Sequence, residues 1–161
     1  MNQAILLLGG NLGDRLEFIS EAKRRITHKC GKIINQSKIY ESEAWGFESN
    51  DPFLNQAISI NTSLKAIDLL IDLQKIESEL GRYRDGLGYS SRNMDIDILF
   101  YNSEIIQQGN LSIPHPRLHL RLFTLKCLLD IIPDFVHPLK KQSIIELDNS
   151  CSDLSKVWLY E

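Results

Sequence analysis

Residues 94–101 read Met94-Asp95-Ile96-Asp97-Ile98-Leu99-Phe100-Tyr101. In an extended chain successive side chains alternate between faces, so Ile96 and Ile98 fall on one side and Asp95 and Asp97 on the other. The apolar side belongs against a core and the acidic side at an opening. Asp disfavours strands, and the plain alternative is a half-exposed strand with two solvated acids on its outer face.

Working outward from this strand, residues 82–93 hold Gly86, Gly88, Ser90 and Ser91 with few apolar residues and read as a surface loop. Upstream, residues 66–80 carry Leu69, Leu73, Ile76 and Leu80 at helical spacing and stop at Gly81. Residues 33–45 and 54–64 are rich in alternating and β-branched side chains, which predicts two strands paired antiparallel across the polar stretch 46–52. Residues 3–8 predict a buried strand that stops at Gly9-Gly10-Asn11-Leu12-Gly13-Asp14. A helix follows, with Leu16, Ile19, Ala22 or Lys23, and Ile26 on its apolar face and Gly31 as its stop. Downstream, residues 104–106 are expected to pair with the acidic strand. Ile113-Pro114-His115-Pro116 breaks the pattern before a helix running through Leu128 and Leu129, and the remaining chain is weakly patterned. The order strand, helix, strand, strand, helix, strand predicts an α+β fold of the ferredoxin-like split βαβ plait, an antiparallel sheet with helices on one face. The length, 161 residues with no repeat or linker, predicts a single domain over 1–161.

Composition narrows the function. Eighteen Lys plus Arg against twenty-one Asp plus Glu give a net charge of −3 with no basic tract, which argues against nucleic acid as a partner. No apolar run approaches the ~18 residues of a membrane span, and the apolar opening lacks the flanks of a secretion signal. Cys30, Cys127 and Cys151 are odd in number and far apart, so they read as reduced thiols rather than as a disulfide framework or zinc site. A cytoplasmic monomer is the expectation.

Five of the eight arginines and none of the ten lysines lie between Arg82 and Arg121. Guanidinium forks bind phosphate oxygens bidentately where ammonium groups act as point charges, so this segregation suits a phosphate ligand. Taken singly, each of Arg82, Arg84, Arg92, Arg117 and Arg121 is more often a solvated charge or an ion-pair partner. Two carboxylates ~6.5–7 Å apart along a strand can hold one hard cation or bridge two, and oxygen donors point to magnesium. Magnesium beside arginines meets the needs of phosphoryl transfer. Glu77 borders the apolar stripe of its helix and requires a partner there, for which Lys75 or an arginine is available. His115 and His119 are four apart, but Pro116 makes the first a turn residue. An imidazole donating to phosphate is the better functional reading than a zinc pair. The glycines at 9, 10 and 13 lack the Lys-Ser or Lys-Thr ending of a phosphate-binding loop, and close backbone packing explains them.

With Arg92 three residues before Asp95-Ile96-Asp97, the chain resembles hydroxymethyl-dihydropterin pyrophosphokinase, an enzyme family of folate biosynthesis. Phe53-Leu54-Asn55-Gln56-Ala57, Ile76-Glu77 with Gly81-Arg82-Tyr83-Arg84, and Pro114-His115-Pro116-Arg117-Leu118-His119 extend the resemblance over nearly the whole chain. It implies transfer of diphosphate from ATP, the co-substrate, to the pterin's hydroxymethyl oxygen, with release of AMP. Asp95 and Asp97 would hold two magnesium ions, and Arg82 and Arg92 would join them as catalytic residues. Glu77, Arg82, Arg84, Arg92, His115 and Arg121 would bind ATP. Ser42, Glu43, Trp45, Phe53, Asn55, Tyr89 and Phe123 would bind the pterin, with Asn55 reading its amide edge as donor and acceptor. Tyr89-Ser90-Ser91 stands where the family usually has Trp-Gly-Pro, and loops 46–51 and 82–91 would close over ATP. Residues alone leave open a phosphotransferase with another acceptor, or a non-catalytic nucleotide- or metal-sensing module.

Overall fold

A computed structural model describes residues 1–81 and 93–161. The chain runs β1 (Asn2–Gly10), α1 (Arg15–Lys29), β2 (Lys32–Gln36), β3 (Tyr40–Ser42), β4 (Phe53–Thr62), α2 (Ala66–Glu79) and β5 (Asp95–Tyr101). It continues with β6 (Ile106–Gln108), β7 (Leu111–Ile113), a 3₁₀ turn (Leu118–Leu120), α3 (Leu122–Ile131), α4 (Ile144–Ser150) and β8 (Val157–Leu159). The main sheet is ordered β5-β1-β4-β3-β8, with β2 also on β4, and all its pairings are antiparallel. The split plait predicted from element order is therefore present, with β1 and β4 at its centre.

Local chemistry accounts for the elements. Asp14 caps α1 by accepting from the Glu17 amide at 3.2 Å, satisfying one of the orphan donors of the first turn. Ile19, Ala22 and Ile26 form its buried face. Leu16, expected on that face, lies in the first turn and is instead 43% exposed. Gly81 adopts φ +88 just past α2, a conformation that glycine reaches without the Cβ clash of other residues. Gly9 and Gly10, expected as turn residues, complete β1, where they pair with Asn55 and Leu54.

The strand predicted over 33–45 is two strands. Ser37 breaks it: its hydroxyl accepts from the Ala57 amide and donates to the Lys38 carbonyl, drawing the buried residue out of the ladder. Residues 104–106 do not extend the main sheet, because Ile106 pairs with Ile113 in a separate β6–β7 hairpin. Helices cover both faces, not one. α1 and α2 enclose a core with Leu6, Leu8, Ile58, Ile96 and Ile98, whereas α3 and α4 pack over Ile5, Leu7, Ala57, Leu99 and Phe100. α3 is the helix expected through Leu128 and Leu129; α4 escaped prediction because it has seven residues and is fixed by a capping box between Ser143 and Glu146 rather than by a long apolar stripe.

Candidate active site

Strand β5 lies beside β1 with Asp95 opposite Gly9 and Asp97 opposite Leu7. Ile96 and Ile98 are buried in the core under α1 and α2. The two aspartates are half-buried on the other face, as their alternation predicted. α2 fixes the strand through Glu77, whose Oε2 accepts from the Ile96 amide at 2.7 Å. Glu77 is 3% exposed and accepts from a backbone N–H. A charge-assisted bond of this kind anchors the peptide between the two aspartates.

Across from them, His115 is held by two bonds: its amide donates to the Leu99 carbonyl at 3.0 Å, and its Nδ1 accepts from the Arg117 amide at 3.1 Å. An accepting Nδ1 leaves the proton of the neutral ring on Nε2, which faces Asp97 Oδ2 at 3.9 Å. Burial, assisted by the Arg121 and Arg117 charges and opposed by Asp95, pushes the His115 pKa down to about 4. The ring is thus a neutral hydrogen-bond donor near pH 7. Arg121, 8% exposed, precedes α3 in extended conformation with Nη1 3.9 Å from Asp97 Oδ2. Its guanidinium lies 4.7 Å from the centre of the Trp45 ring and 5.9 Å from that of Phe123. His119 does not join His115. Its ring lies 6.3 Å from that of His137, so the zinc-pair spacing has no counterpart in space.

A cavity of about 420 Å³ runs along this face. At one end it is lined by Ser42, Glu43, Trp45, Phe53, Asn55 and Phe123, the side chains expected around a pterin. Phe47 adds an edge-on contact to Phe53, with centroids 6.0 Å apart. Asn55 Nδ2 donates to Ser42 Oγ at 2.9 Å and to the Tyr40 carbonyl at 3.2 Å. Its amide hydrogens are therefore engaged, and Oδ1 remains as an acceptor. The Ser42 hydroxyl can supply the missing donor. At the other end Leu70, Gln74, Asn110, Leu111 and Ser112 complete the wall. These five were not singled out in the sequence. Gln74 stands three residues before Glu77 and Leu70 four before Gln74, a helical spacing that could have found the two on α2. Nothing local marks the hairpin as a site. Arg82, Arg84, Tyr89 and Arg92, and the loop 82–91, lie outside the described residues.

The donor set fits magnesium. Among the described residues no group of three or more His, Cys, Asp or Glu could hold a metal ion. Magnesium needs no such cage, because it keeps several waters and is held by one or two carboxylates together with substrate phosphates. Asp95 and Asp97, on one half-buried face of a strand that Glu77 fixes in place, supply that number of hard oxygen donors. No helix among the described residues is long and apolar enough to cross a membrane.

Residues 5–133 match the family model of 7,8-dihydro-6-hydroxymethylpterin-pyrophosphokinase. A 2-amino-4-hydroxy-6-hydroxymethyldihydropteridine pyrophosphokinase of Aquifex aeolicus is 38% identical over 146 residues, covering 91% of this chain and 90% of its own. The protein of the same name from Porphyromonas gingivalis is 40% identical, over 83% of this chain and 92% of its own. The folic acid synthesis protein fol1 of Pneumocystis carinii is 42% identical over 89% of this chain, which spans only 19% of that longer protein. In three dimensions the chain superposes on Plasmodium falciparum HPPK-DHPS with a TM-score of 0.72 at 22% identity, covering 92% of this chain and 42% of that one.

Proposed function

The chain belongs to the 7,8-dihydro-6-hydroxymethylpterin-pyrophosphokinase family, and from that membership we propose that it transfers diphosphate from ATP to the hydroxymethyl group of 6-hydroxymethyl-7,8-dihydropterin in folate biosynthesis. It is an ATP-dependent diphosphotransferase. The pterin hydroxyl oxygen forms a bond to the β-phosphorus, the bond from that phosphorus to the bridging α-oxygen breaks, and AMP leaves. The observation that carries this reading is the division of one cavity. Two carboxylates face a neutral His115 and Arg121 at its middle, and an aromatic slot with Ser42 and Asn55 closes one end.

Asp95 and Asp97 hold two magnesium ions, which when bound neutralise the triphosphate and lower the cost of deprotonating the hydroxyl. Asp97 is the carboxylate nearest that proton. His115 donates from Nε2 to a phosphate oxygen without adding charge, and Arg121 adds a fork held rigid between two aromatic faces. Arg82, Arg84 and Arg92 take their phosphate roles, and Arg82 and Arg92 their catalytic ones, from the family resemblance. Glu77 acts on the nucleotide side by fixing the strand that carries the metal ligands. Leu70, Gln74, Leu111 and Ser112 offer an apolar wall with polar edges that suits a purine. Phe53 and Phe123 take the pterin ring, Asn55 Oδ1 accepts from it, and Ser42, Glu43, Trp45 and Tyr89 border it. We assign one domain to the chain, a monomeric state, and a cytoplasmic setting in which its free thiols stay reduced.

Incubation with ATP, magnesium and the reduced hydroxymethylpterin, followed by nucleotide analysis, tests the reading. AMP and pterin diphosphate are the expected products. Asp97→Ala is expected to lower their rate by about 10²–10³-fold or more, the range for losing a main electrostatic stabiliser of a transition state. ADP as the product would point instead to simple phosphorylation.

A further inference from the structure

The segment after α4 lies beyond the residues matched by the family model, yet it ties both walls of the aromatic slot. Its first contact is on α3. That helix has no side-chain cap of its own, and the orphan amide of Leu122 donates to Asp153 Oδ2 at 2.9 Å. Leu122 stands between Arg121 and Phe123, both of which line the cavity. Asp153 Oδ1 accepts from the Ser155 amide at 2.9 Å, so the carboxylate is itself held by its own loop. Burial raises its pKa, and the bonds from Ser155 and Leu122 more than offset this, leaving it below the usual range.

The next contacts are on the opposite wall. The Lys156 amide donates to Glu43 Oε1 at 2.8 Å, and the Glu43 amide donates back to the Lys156 carbonyl at 3.2 Å. Val157 pairs with Ser42 and Trp158 with Glu41 in the sheet register. Trp158 Nε1 donates to Glu41 Oε1 at 2.9 Å, while Arg15 Nη1 holds Glu41 Oε2 at 2.7 Å and the Pro52 carbonyl at 3.0 Å. Asn11 Nδ2 adds a bond to the Asp51 carbonyl at 3.1 Å. The loop that carries Trp45 and Phe47 is thus pinned at Glu43 by the segment, and at residues 51 and 52 by Asn11 and Arg15.

We infer that residues 153–159 act as a strap that sets the width of the pterin slot, with Asp153 the positioning residue for Phe123 and the Lys156 amide the positioning group for Glu43. The proposal deepens the pyrophosphokinase reading and rests on it for the identity of the ligand. The hydrogen bonds of the strap reach Leu122, Glu41 and Glu43, on the α3 and β3 sides of the aromatic slot. Loosening it therefore acts on pterin affinity before it acts on ATP.

The test is calorimetric binding of the hydroxymethylpterin, in the presence of a non-hydrolysable ATP analogue and magnesium, to wild type, Asp153→Ala, Asp153→Asn and Lys156→Pro, with thermal unfolding of each. Asp153→Ala and Lys156→Pro are expected to weaken pterin binding about tenfold, or ~1.4 kcal/mol. Binding of the analogue alone should change less than twofold. Asp153→Asn keeps an acceptor for the Leu122 amide and is expected to recover most of the affinity. A purely structural role would lower Tm and the folded fraction without separating the two ligands. Pterin affinity within twofold of wild type in both Asp153→Ala and Lys156→Pro, or an equal loss for both ligands, overturns the strap. Failure of the wild type to form AMP while it still binds the pterin would overturn the pyrophosphokinase reading instead, and the binding ratio would still decide the strap.

Discussion

Gly9 shows how one residue sets the chemistry of the slot. A Cβ built there would stand 3.3 Å from Asn55 Oδ1 and 3.3 Å from the Leu54 carbonyl, closer than carbon normally approaches oxygen. The backbone carbonyl is locked in the ladder, so the Asn55 amide must yield, and its Oδ1 is the acceptor assigned to the pterin. Gly9→Ala is expected to weaken pterin binding by about five- to tenfold, on the order of 1 kcal/mol, and to leave binding of an ATP analogue nearly unchanged. Titration of each ligand checks this, and an unaltered pterin affinity would remove Asn55 from the site. Gly9 was legible as a residue of close packing but was expected at a tight turn, and its place in β1 and its packing partner, forty-six positions further along the chain, were not legible. The alternation at Asp95 and Asp97 was legible for the opposite reason. A period of two is a local property, and the strand obeys it once Ile96 and Ile98 are drawn into the core. Glu77 was half legible: its place beside an apolar stripe announced a buried acid. Its partner, the Ile96 amide, depends on a packing of α2 on β5 that no spacing encodes.

Among the elements, those with long periodic faces could be read, and those fixed by a few polar bonds could not. α1, α2 and β4 belong to the first kind. The break at Ser37, the β6–β7 hairpin, α4 and β8 belong to the second, because each is held by side-chain-to-backbone bonds or by pairing with a distant strand. The turn after α3 is a further case, with a measurable consequence. His137, 3% exposed, accepts the Leu139 and Lys140 amides on Nδ1 at 3.1 and 3.0 Å, and its ring packs edge-on to Phe100. Burial, with the nearby His119 and Lys140 charges adding to it, pushes its pKa down to about 4. In the unfolded chain the ring titrates near ~6.5. Between these values the unfolded state binds a proton that the folded state refuses, so stability falls as pH drops from about 6.5 towards about 4. A loss on the order of 1 kcal/mol lowers Tm by roughly 2–4 °C in a chain of this size. Thermal unfolding at pH 7.5 and 5.0 is expected to show this drop in wild type and a smaller one in His137→Asn, whose side chain can accept the same amides without titrating. Equal drops in both would show that the turn does not sense the proton.

At the scale of the whole molecule, the plait brings residues from β1, β3, β4, β5, α2 and α3 to one face, and the site exists only because sheet order sets β5 beside β1 and β1 beside β4. That order follows from the strand and helix sequence, which is why the fold and the central acid pair could be read without coordinates. Ser42, Glu43, Trp45, Phe53, Asn55 and Phe123 on the walls of the cavity were named from the family resemblance, whereas the strap behind them could not be read, because its polar contacts span 30 to more than 110 positions. The central claim is that Asp95 and Asp97 gather paired divalent cations at the phosphates of ATP. Its most direct test is the stoichiometry of manganese binding, followed by electron paramagnetic resonance, to the protein saturated with a non-hydrolysable ATP analogue and the pterin. Two ions per chain are expected in wild type and no more than one in Asp95→Ala or Asp97→Ala; two ions bound with unchanged affinity in either variant would contradict the claim.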